Sequence, residues 1–263
     1  MRLTTLGTGA AAPDPRRVNA GHLVEAGPVR LLLDCGSGVV HRMATLGVDW
    51  GAITHVVLTH FDADHLSDIA TLFVAWRYGQ LPPRKEAVTV IGPPGTRALL
   101  VRMSMALWPK LLTPGYPVYV VELAPGARLV LGEVSLASHK VPHTDESVAY
   151  SVVHAGRRLV YTGDTSADAS LGEWAAGCDL LLAECSLPEA MAVPSHLTPE
   201  RVGELAGAAQ PGMLVLTHFY PPVEHVDVAA IVGQRYAGPI VLAHDGWSTD
   251  LDALPTRAEP STP

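Results

Sequence analysis

No run of this sequence is apolar for anything near the ~20 residues that a membrane span needs. The N-terminus has no signal-type apolar segment either. Met1-Arg2-Leu3-Thr4-Thr5-Leu6-Gly7 goes straight into a strand-like pattern, so a cytoplasmic protein with no membrane attachment is expected. Cysteine is scarce. Cys35, Cys178 and Cys185 cannot all pair with one another, and their spacing fits no zinc ribbon or CxxC motif. Their apolar neighbours make reduced, buried thiols the expectation. Basic residues are also few, 18 against 26 acidic, for a net charge of −8. That balance argues against a large nucleic-acid footprint, which requires clustered cations. The short basic groups are Arg16-Arg17, Arg84-Lys85 and Arg157-Arg158. Gly7-Thr8-Gly9 follows a strand but lacks the remaining glycine and the lysine of a phosphate loop, so it reads as a structural turn.

At 263 residues and 48% hydrophobic content, the chain can bury one large core or two fused half-domains. Up to about residue 160 it reads mainly as strands: Arg2–Leu6, His22–Ala26, Arg30–Asp34, Ala87–Ile91, Tyr116–Leu123, Arg128–Leu131, Val134–Lys140, Ala149–His154 and Leu159–Tyr161. Helices are expected over Val39–Leu46, Leu66–Tyr78 and Thr96–Leu107. Strands and helices then alternate: Leu180–Glu184, a helix over Pro199–Gln210 capped by Thr198, Met213–Thr217, a helix over Val226–Tyr236, and Ile240–Ala243. This is an α/β (α+β) pattern of two packed sheets with helices outside. Residues 1–254 are expected to form a single domain, and the Pro-, Ser- and Thr-rich stretch 255–263 a disordered tail.

One stretch organises the chain. Thr59-His60-Phe61-Asp62-Ala63-Asp64-His65 places four ligand-capable side chains within six residues, after the apolar run Ile53–Leu58 and before the amphipathic segment. It therefore reads as a strand-to-helix loop, where α/β folds put their chemistry. A solvated acidic loop would account for Asp62 and Asp64 but not for the two histidines that flank them. Four more apolar runs each deliver a similar residue: His143, Asp164, His196 and His218. A lone histidine is more often structural. Four such positions added to the dense cluster make a dinuclear metal site the leading reading.

The order and flanks of these motifs resemble the metallo-β-lactamase fold superfamily, and within it the ribonuclease Z-like branch. The likeness runs from Leu6-Gly7-Thr8-Gly9 and Leu33-Asp34-Cys35-Gly36 through Thr59–His65 and His143. It continues in Gly163-Asp164-Thr165, Ser195–Glu200, Leu216-Thr217-His218-Phe219 and Asp245-Gly246. The resemblance implies a four-layer αββα sandwich with two divalent ions at one edge, bound by His60, Asp62 and His143 and by Asp64, His65 and His218, with Asp164 bridging. It also implies a bridging hydroxide as nucleophile and His196 as the acid that protonates the leaving group. An N-terminal cap contact for the helix at Pro199 is the alternative reading of His196. By the same resemblance Asp64 would be a ligand that also orients or accepts a proton. Asp34 would support the motif loop and Glu184 would orient His196. His22 and His244, at strand ends, are candidates to enter the pocket. His41, His55, His139, His154 and His225 read as structural.

The chain departs from the family at one ligand. The usual HxHxDH is here HxDxDH, with Asp62 where a histidine is expected. Zinc is the first expectation, and the harder donor set admits manganese or iron. The family's tRNA-gripping arm lies between the third histidine and the bridging aspartate. His143 and Asp164 are 21 positions apart (164 − 143), which leaves no room for it. The reading is therefore a metal-dependent hydrolase of a small-molecule substrate, first a phosphodiesterase with cyclic nucleotides among its candidates. A lactone, thioester or carboxylic ester hydrolase on the same centre is the second reading. A non-catalytic metal-binding or sensor protein with a weakened first site is the third. A homodimer is the oligomeric expectation. The pocket roof is expected from Gly79–Glu86 and Trp108–Tyr116.

Overall fold

A computed structural model of the chain describes residues 1–255. The tail expected to be disordered lies, from residue 256 on, outside the described residues. The first sheet is built from β1 (Arg2–Gly7), β2 (Gly21–Ala26), β3 (Val29–Leu33), β4 (His55–Val57), β5 (Val88–Gly92) and β6 (Val118–Glu122). The second holds β7 (Arg128–Leu131), β8 (Val134–Lys140), β9 (Val148–His154), β10 (Arg157–Tyr161), β11 (Leu180–Glu184), β12 (Met213–Thr217) and β13 (Ile240–Leu242). A last strand, β14 (Ser248–Asp250), returns to pair antiparallel with β1, so the first sheet also has seven strands.

The two halves repeat one plan. β1–β3 and β7–β10 are antiparallel ladders, and β3–β6 and β10–β13 are parallel. Strands at the centre of the sheets read as continuous apolar runs because both faces are covered: β11 is buried at every residue. The edge strand β7 instead alternates exposed and half-buried positions.

Three apolar clusters divide the molecule into layers. The central one joins the inner sheet faces through Leu3, Leu31, Val57, Tyr150, Leu159 and Val215. A second lies between the first sheet and α1 (Val39–Thr45), α2 (Ala63–Leu66), α3 (Ile69–Val74) and α4 (Thr96–Ala106). The third lies between the second sheet and α5 (Ala169–Ala175), α6 (Pro199–Ala209) and α7 (Val228–Val232). Helix, sheet, sheet, helix is the four-layer sandwich expected. All three cysteines are buried. No helix among the described residues is long and apolar enough to cross a membrane.

Some elements differ from the sequence reading. The helix expected over Leu66–Tyr78 begins at Ala63 and breaks at Ser67–Asp68. There the Ser67 hydroxyl donates to the Ala63 carbonyl, and the Asp68 carboxylate leaves the helix to accept the Val40 amide. Such local bonds compete with the helical ladder. The helix expected over Val226–Tyr236 shrinks to α7, whose N-terminus is set by the Asp227 carboxylate accepting the Ala230 amide. His225 accordingly ends a 3₁₀ turn rather than starting a helix. Gly79–Glu86 does not roof the ligand cluster. With Trp50, Gly51 and Thr54 it walls a separate cavity, and Leu111 and Tyr116 pack into the core outside the first sheet.

Arg84, read from sequence as one of a short basic group, is only 3% exposed. Its guanidinium donates to the carbonyls of Gly51, Ile53, Glu86 and Ala87 and lies 4.5 Å from the centre of the Trp76 ring. Burial lowers its pKa, and among the described residues no carboxylate forms an ion pair with it. It thus closes four carbonyls that the irregular backbone leaves open. Arg84→Met is expected to destabilise the fold by about 3 kcal/mol, allowing for water entering the adjoining cavity, and Arg84→Lys to recover little of it. Urea midpoints of the three proteins check this.

Candidate metal centre

The ligand-capable residues come from strand ends on one side of both sheets. Past the end of β4 the chain continues to Thr59 and His60, and Asp62 then precedes α2, whose first turn carries Asp64 and His65. The motif is therefore partly helical rather than wholly a loop. β8 leads to His143, β10 to Asp164 and β12 to His218. His218 takes the left-handed conformation at φ 59°, as does Asp34 at φ 58° after β3. Two glycines allow the loops to converge. A Cβ at Gly36 would lie 2.0 Å from the Asp64 carbonyl oxygen, and one at Gly163 (φ +57°) would lie 2.8 Å from the Thr59 Cβ.

Four imidazoles point their Nε2 atoms inward because each Nδ1 is held from behind. His65 Nδ1 donates to the Asp34 carboxylate at 2.8 Å, and His143 Nδ1 to the Ser195 carbonyl at 3.0 Å. His60 Nδ1 donates to the Thr59 hydroxyl at 2.9 Å, which in turn donates to Asp34 at 2.9 Å. His218 Nδ1 donates to the Ser186 hydroxyl at 2.9 Å, which donates to Glu184. The same tautomer results in all four, with its free lone pair on Nε2.

The carboxylates fill the spaces between. Asp62 lies 3.6 Å from His60 Nε2 and 3.2 Å from His143 Nε2. Asp64 lies 3.9 Å from His65 Nε2 and 3.4 Å from His218 Nε2. Asp164 reaches all four imidazoles, at 3.2 Å (His65), 3.3 Å (His218), 3.8 Å (His60) and 4.0 Å (His143). Ligands about 2.1 Å from a tetrahedral ion stand about 3.4 Å from one another. These separations therefore suit ions placed among the ligands better than direct hydrogen bonds. His65 Nε2 faces His218 Nε2 at 3.3 Å, and the buried His60 Nε2 and Asp164 Oδ1 have no hydrogen-bond partner. Such atoms are costly unless something else satisfies them. Asp64, His65, Asp164 and His218 make one group that could hold a divalent ion, and His60, His143 and Asp164 another.

The charge balance points the same way. The neighbouring imidazoles of His60 and His143, opposed by burial, hold Asp62 below the usual carboxylate range. Burial would raise Asp64 and Asp164, but His218 and His65 outweigh it and lower both. Three ionised carboxylates thus converge in one cleft. Burial opposes a charge on His65, yet Asp164 and Asp34 raise its pKa well above the ordinary value. Protons and metal ions therefore compete for its Nε2, and metal affinity should rise with pH.

His196 stands beside the cluster, its ring 5.5 Å from that of His218 and 5.0 Å from that of His143. Its Nδ1 donates to the buried Glu184 carboxylate at 3.1 Å. Burial works against its charge, but Glu184 and the nearby aspartates raise its pKa to about 9. The capping alternative does not hold: Thr198 caps α6, its hydroxyl accepting the Arg201 amide, while the His196 side chain faces the cluster.

The two remaining candidates do not join the cluster. His22 is fully buried in β2, 4.9 Å from the Tyr161 ring, with burial lowering its pKa to about 3. His244 is exposed, its Nδ1 bonded to the adjacent Asp245 carbonyl. Conversely, Ser186, Ser195 and Tyr161 orient the centre without having been singled out from sequence. Tyr220, half-buried, has its ring centre 6.1 Å from both His196 and His218.

The family described as "Beta-lactamase superfamily domain" matches residues 29–219. A protein named ribonuclease Z from Mycolicibacterium gilvum is 30% identical over 269 aligned residues, covering 93% of this chain and 94% of the relative. Among solved structures, a metallo-β-lactamase fold protein from Bacillus subtilis superposes with a TM-score of 0.82 at 23% identity, over 94% of this chain and 98% of the other. The human short-form tRNase Z superposes with a TM-score of 0.78 at 23% identity, over 97% and 100%.

Proposed function

The chain belongs to the β-lactamase superfamily, and from that premise we propose that it is a metal-dependent phosphodiesterase acting on a small substrate. The observation that carries this reading is the convergence of four Nε2 atoms and three carboxylates, with Asp164 common to both halves, beside a histidine held in its charged form. His60, Asp62, His143 and Asp164 would hold one divalent ion, and Asp64, His65, His218 and Asp164 a second. Ions held there would supply Lewis acidity and an activated water.

The chain's own residues supply the rest. His196 donates from Nε2 to the leaving-group oxygen, while Glu184 keeps its Nδ1–H engaged and stabilises the imidazolium. Asp64 orients groups on its side of the cleft, and Asp34 fixes the ring of His65. An alkoxide leaving group needs that proton more than the tetrahedral intermediate of an activated ester does. This favours phosphodiesters over carboxylic esters.

Two observations favour a small substrate. β9 and β10 are joined by the Ala155–Gly156 turn alone, and the chain carries a net charge of −8. The name of the M. gilvum relative favours a second reading, cleavage of RNA. The deciding experiment pairs metal analysis of untagged protein with turnover of bis(p-nitrophenyl) phosphate and of a precursor tRNA. Two ions per chain and turnover of the small ester alone are expected. Efficient tRNA cleavage would install the second reading, and neither activity in zinc, manganese or iron would remove both.

His196→Ala is expected to lower kcat for a phosphodiester with an alkoxide leaving group, such as a cyclic nucleotide, by about 10²–10³ with little change in KM, and to change turnover of bis(p-nitrophenyl) phosphate, whose nitrophenolate leaves without a proton, far less. In the parent protein kcat/KM falls on the alkaline side as His196 loses its proton, and that limb should vanish in the variant. An unchanged limb would remove His196 as the acid.

A further inference from the structure

A cavity of about 320 Å³ adjoins the first half of the centre, walled by Phe61, Pro94, Pro125, Asp145 and Glu146. Phe61 stands in sequence between His60 and Asp62, and the two acidic residues follow His143 by two and three positions. The cavity therefore shares its walls with the loops that carry the metal-ligand candidates. Three aspects of its chemistry bear on what it would take.

Its apolar surface is rigid. Two prolines face it, and Phe61 packs over Gly95 so closely that a Cβ there (φ +103°) would lie 3.2 Å from the ring. Its acidic residues have no cation of their own. Among the described residues neither Asp145 nor Glu146 forms a side-chain ion pair, and the Lys140 ammonium, whose hydrogen bonds go to the carbonyls of Thr144, Asp145 and Ser147, offsets only one of the two acidic charges. Finally, the combination of an aromatic ring and unpaired carboxylates in one recess matches an organic ammonium group, which takes cation–π attraction from the ring and Coulomb attraction from the acids. A polyanionic strand would instead be repelled.

We propose that this cavity is a substrate subsite for an ammonium-bearing group attached to the phosphodiester, with Phe61, Asp145 and Glu146 as its specificity determinants. The proposal rests on the phosphodiesterase reading for the reaction but not for the binding. The preferred substrates are then zwitterionic esters, whose negative phosphate faces the centre while the positive substituent lies in the recess.

The test uses metal-loaded protein titrated calorimetrically with choline and with 3,3-dimethylbutan-1-ol, its neutral isostere. Choline should bind at least tenfold more tightly than the alcohol. The Asp145→Asn/Glu146→Gln double variant should lose at least tenfold in choline affinity, and Phe61→Leu, which keeps apolar volume but removes the ring, several-fold. In turnover, p-nitrophenyl phosphorylcholine should exceed ethyl p-nitrophenyl phosphate in kcat/KM by tenfold or more, and the double variant should erase that ratio. Equal binding of choline and its isostere would overturn the proposal. So would choline affinity that survives the double variant, since the cation would then be held by the aspartates of the centre. Turnover of neither ester with choline binding intact and sensitive to Asp145 and Glu146 would sink the phosphodiesterase reading and leave the subsite standing.

Discussion

Replacing Asp164 with asparagine is expected to reduce bis(p-nitrophenyl) phosphate turnover by about 10³ or more and to lower the metal content below two ions per chain. The expectation follows from position. Asp164 is 3% exposed, and its carboxylate is the only one within 4.0 Å of all four inward-facing Nε2 atoms among the described residues. Asparagine keeps the shape but removes the charge, and turns an NH₂ toward imidazole nitrogens or an ion. Asp62→Asn should be milder in comparison, because Asp62 touches only the first half and its side chain is 50% exposed. Metal analysis and steady-state kinetics on both variants separate a shared ligand from a one-sided one. Equal losses would mean that Asp164 does not serve both halves.

The histidine-to-aspartate departure gains meaning from this geometry. Asp62 is not turned away: its carboxylate approaches both imidazoles of its half. Each half then offers two imidazoles, one carboxylate of its own and a share of Asp164. A third carboxylate also lowers the positive charge left after two divalent ions bind, which weakens the hold on a doubly anionic product. Under the proposed phosphodiesterase reading, this suits a centre that would release a phosphomonoester.

The seven ligand candidates were legible because strand periodicity and residue type coincide. An apolar run ending in histidine or aspartate marks a strand end, and four such ends with compatible chemistry are rarely accidental. Legibility stopped where the partner is remote and the residue type common. Ser186 meets His218 across 32 positions, Ser195 meets His143 across 52, and Tyr161 meets Asp34 across 127. Nothing in a serine or tyrosine distinguishes these roles before the sheets are stacked. Short elements escaped for a related reason. α5 spans seven residues and is set by the Asp168 carboxylate accepting the Ser170 amide, and the three-residue β14 exists only because β1 offers it an edge. The glycines at 36 and 163 look like any turn glycine until the motif loop is packed against them.

Asp34→Asn is the second large effect, and it separates orientation from ligation. The Asp34 carboxylate is fully buried and accepts four hydrogen bonds: the Thr59 amide at 2.8 Å, the Thr59 hydroxyl at 2.9 Å, His65 Nδ1 at 2.8 Å and the Tyr161 hydroxyl at 2.9 Å. Burial alone would raise its pKa, but His65 and the donors around it keep it below the ordinary carboxylate value. An amide retains the volume and can still accept the Thr59 amide, but its NH₂ faces three donors. The two hydroxyls can rotate to accept. His65 can accommodate the amide only by moving its proton from Nδ1 to Nε2, which removes the lone pair needed for a metal. The expected result is a 10–100-fold loss of metal affinity although no ligand has been changed. A fall of about 3 kcal/mol in stability of the metal-free protein should accompany it. The pH dependence supplies an independent readout. A carboxyl held below its unfolded value of about 3.9 contributes stability above that pH and loses it as pH falls through the folded value, so the parent should weaken below about pH 4. In Asp34→Asn that part of the acid destabilisation should be absent. Denaturant midpoints across pH 2–7 and metal titrations on both proteins measure the two effects. Unchanged metal affinity with altered stability would make Asp34 a purely structural acceptor.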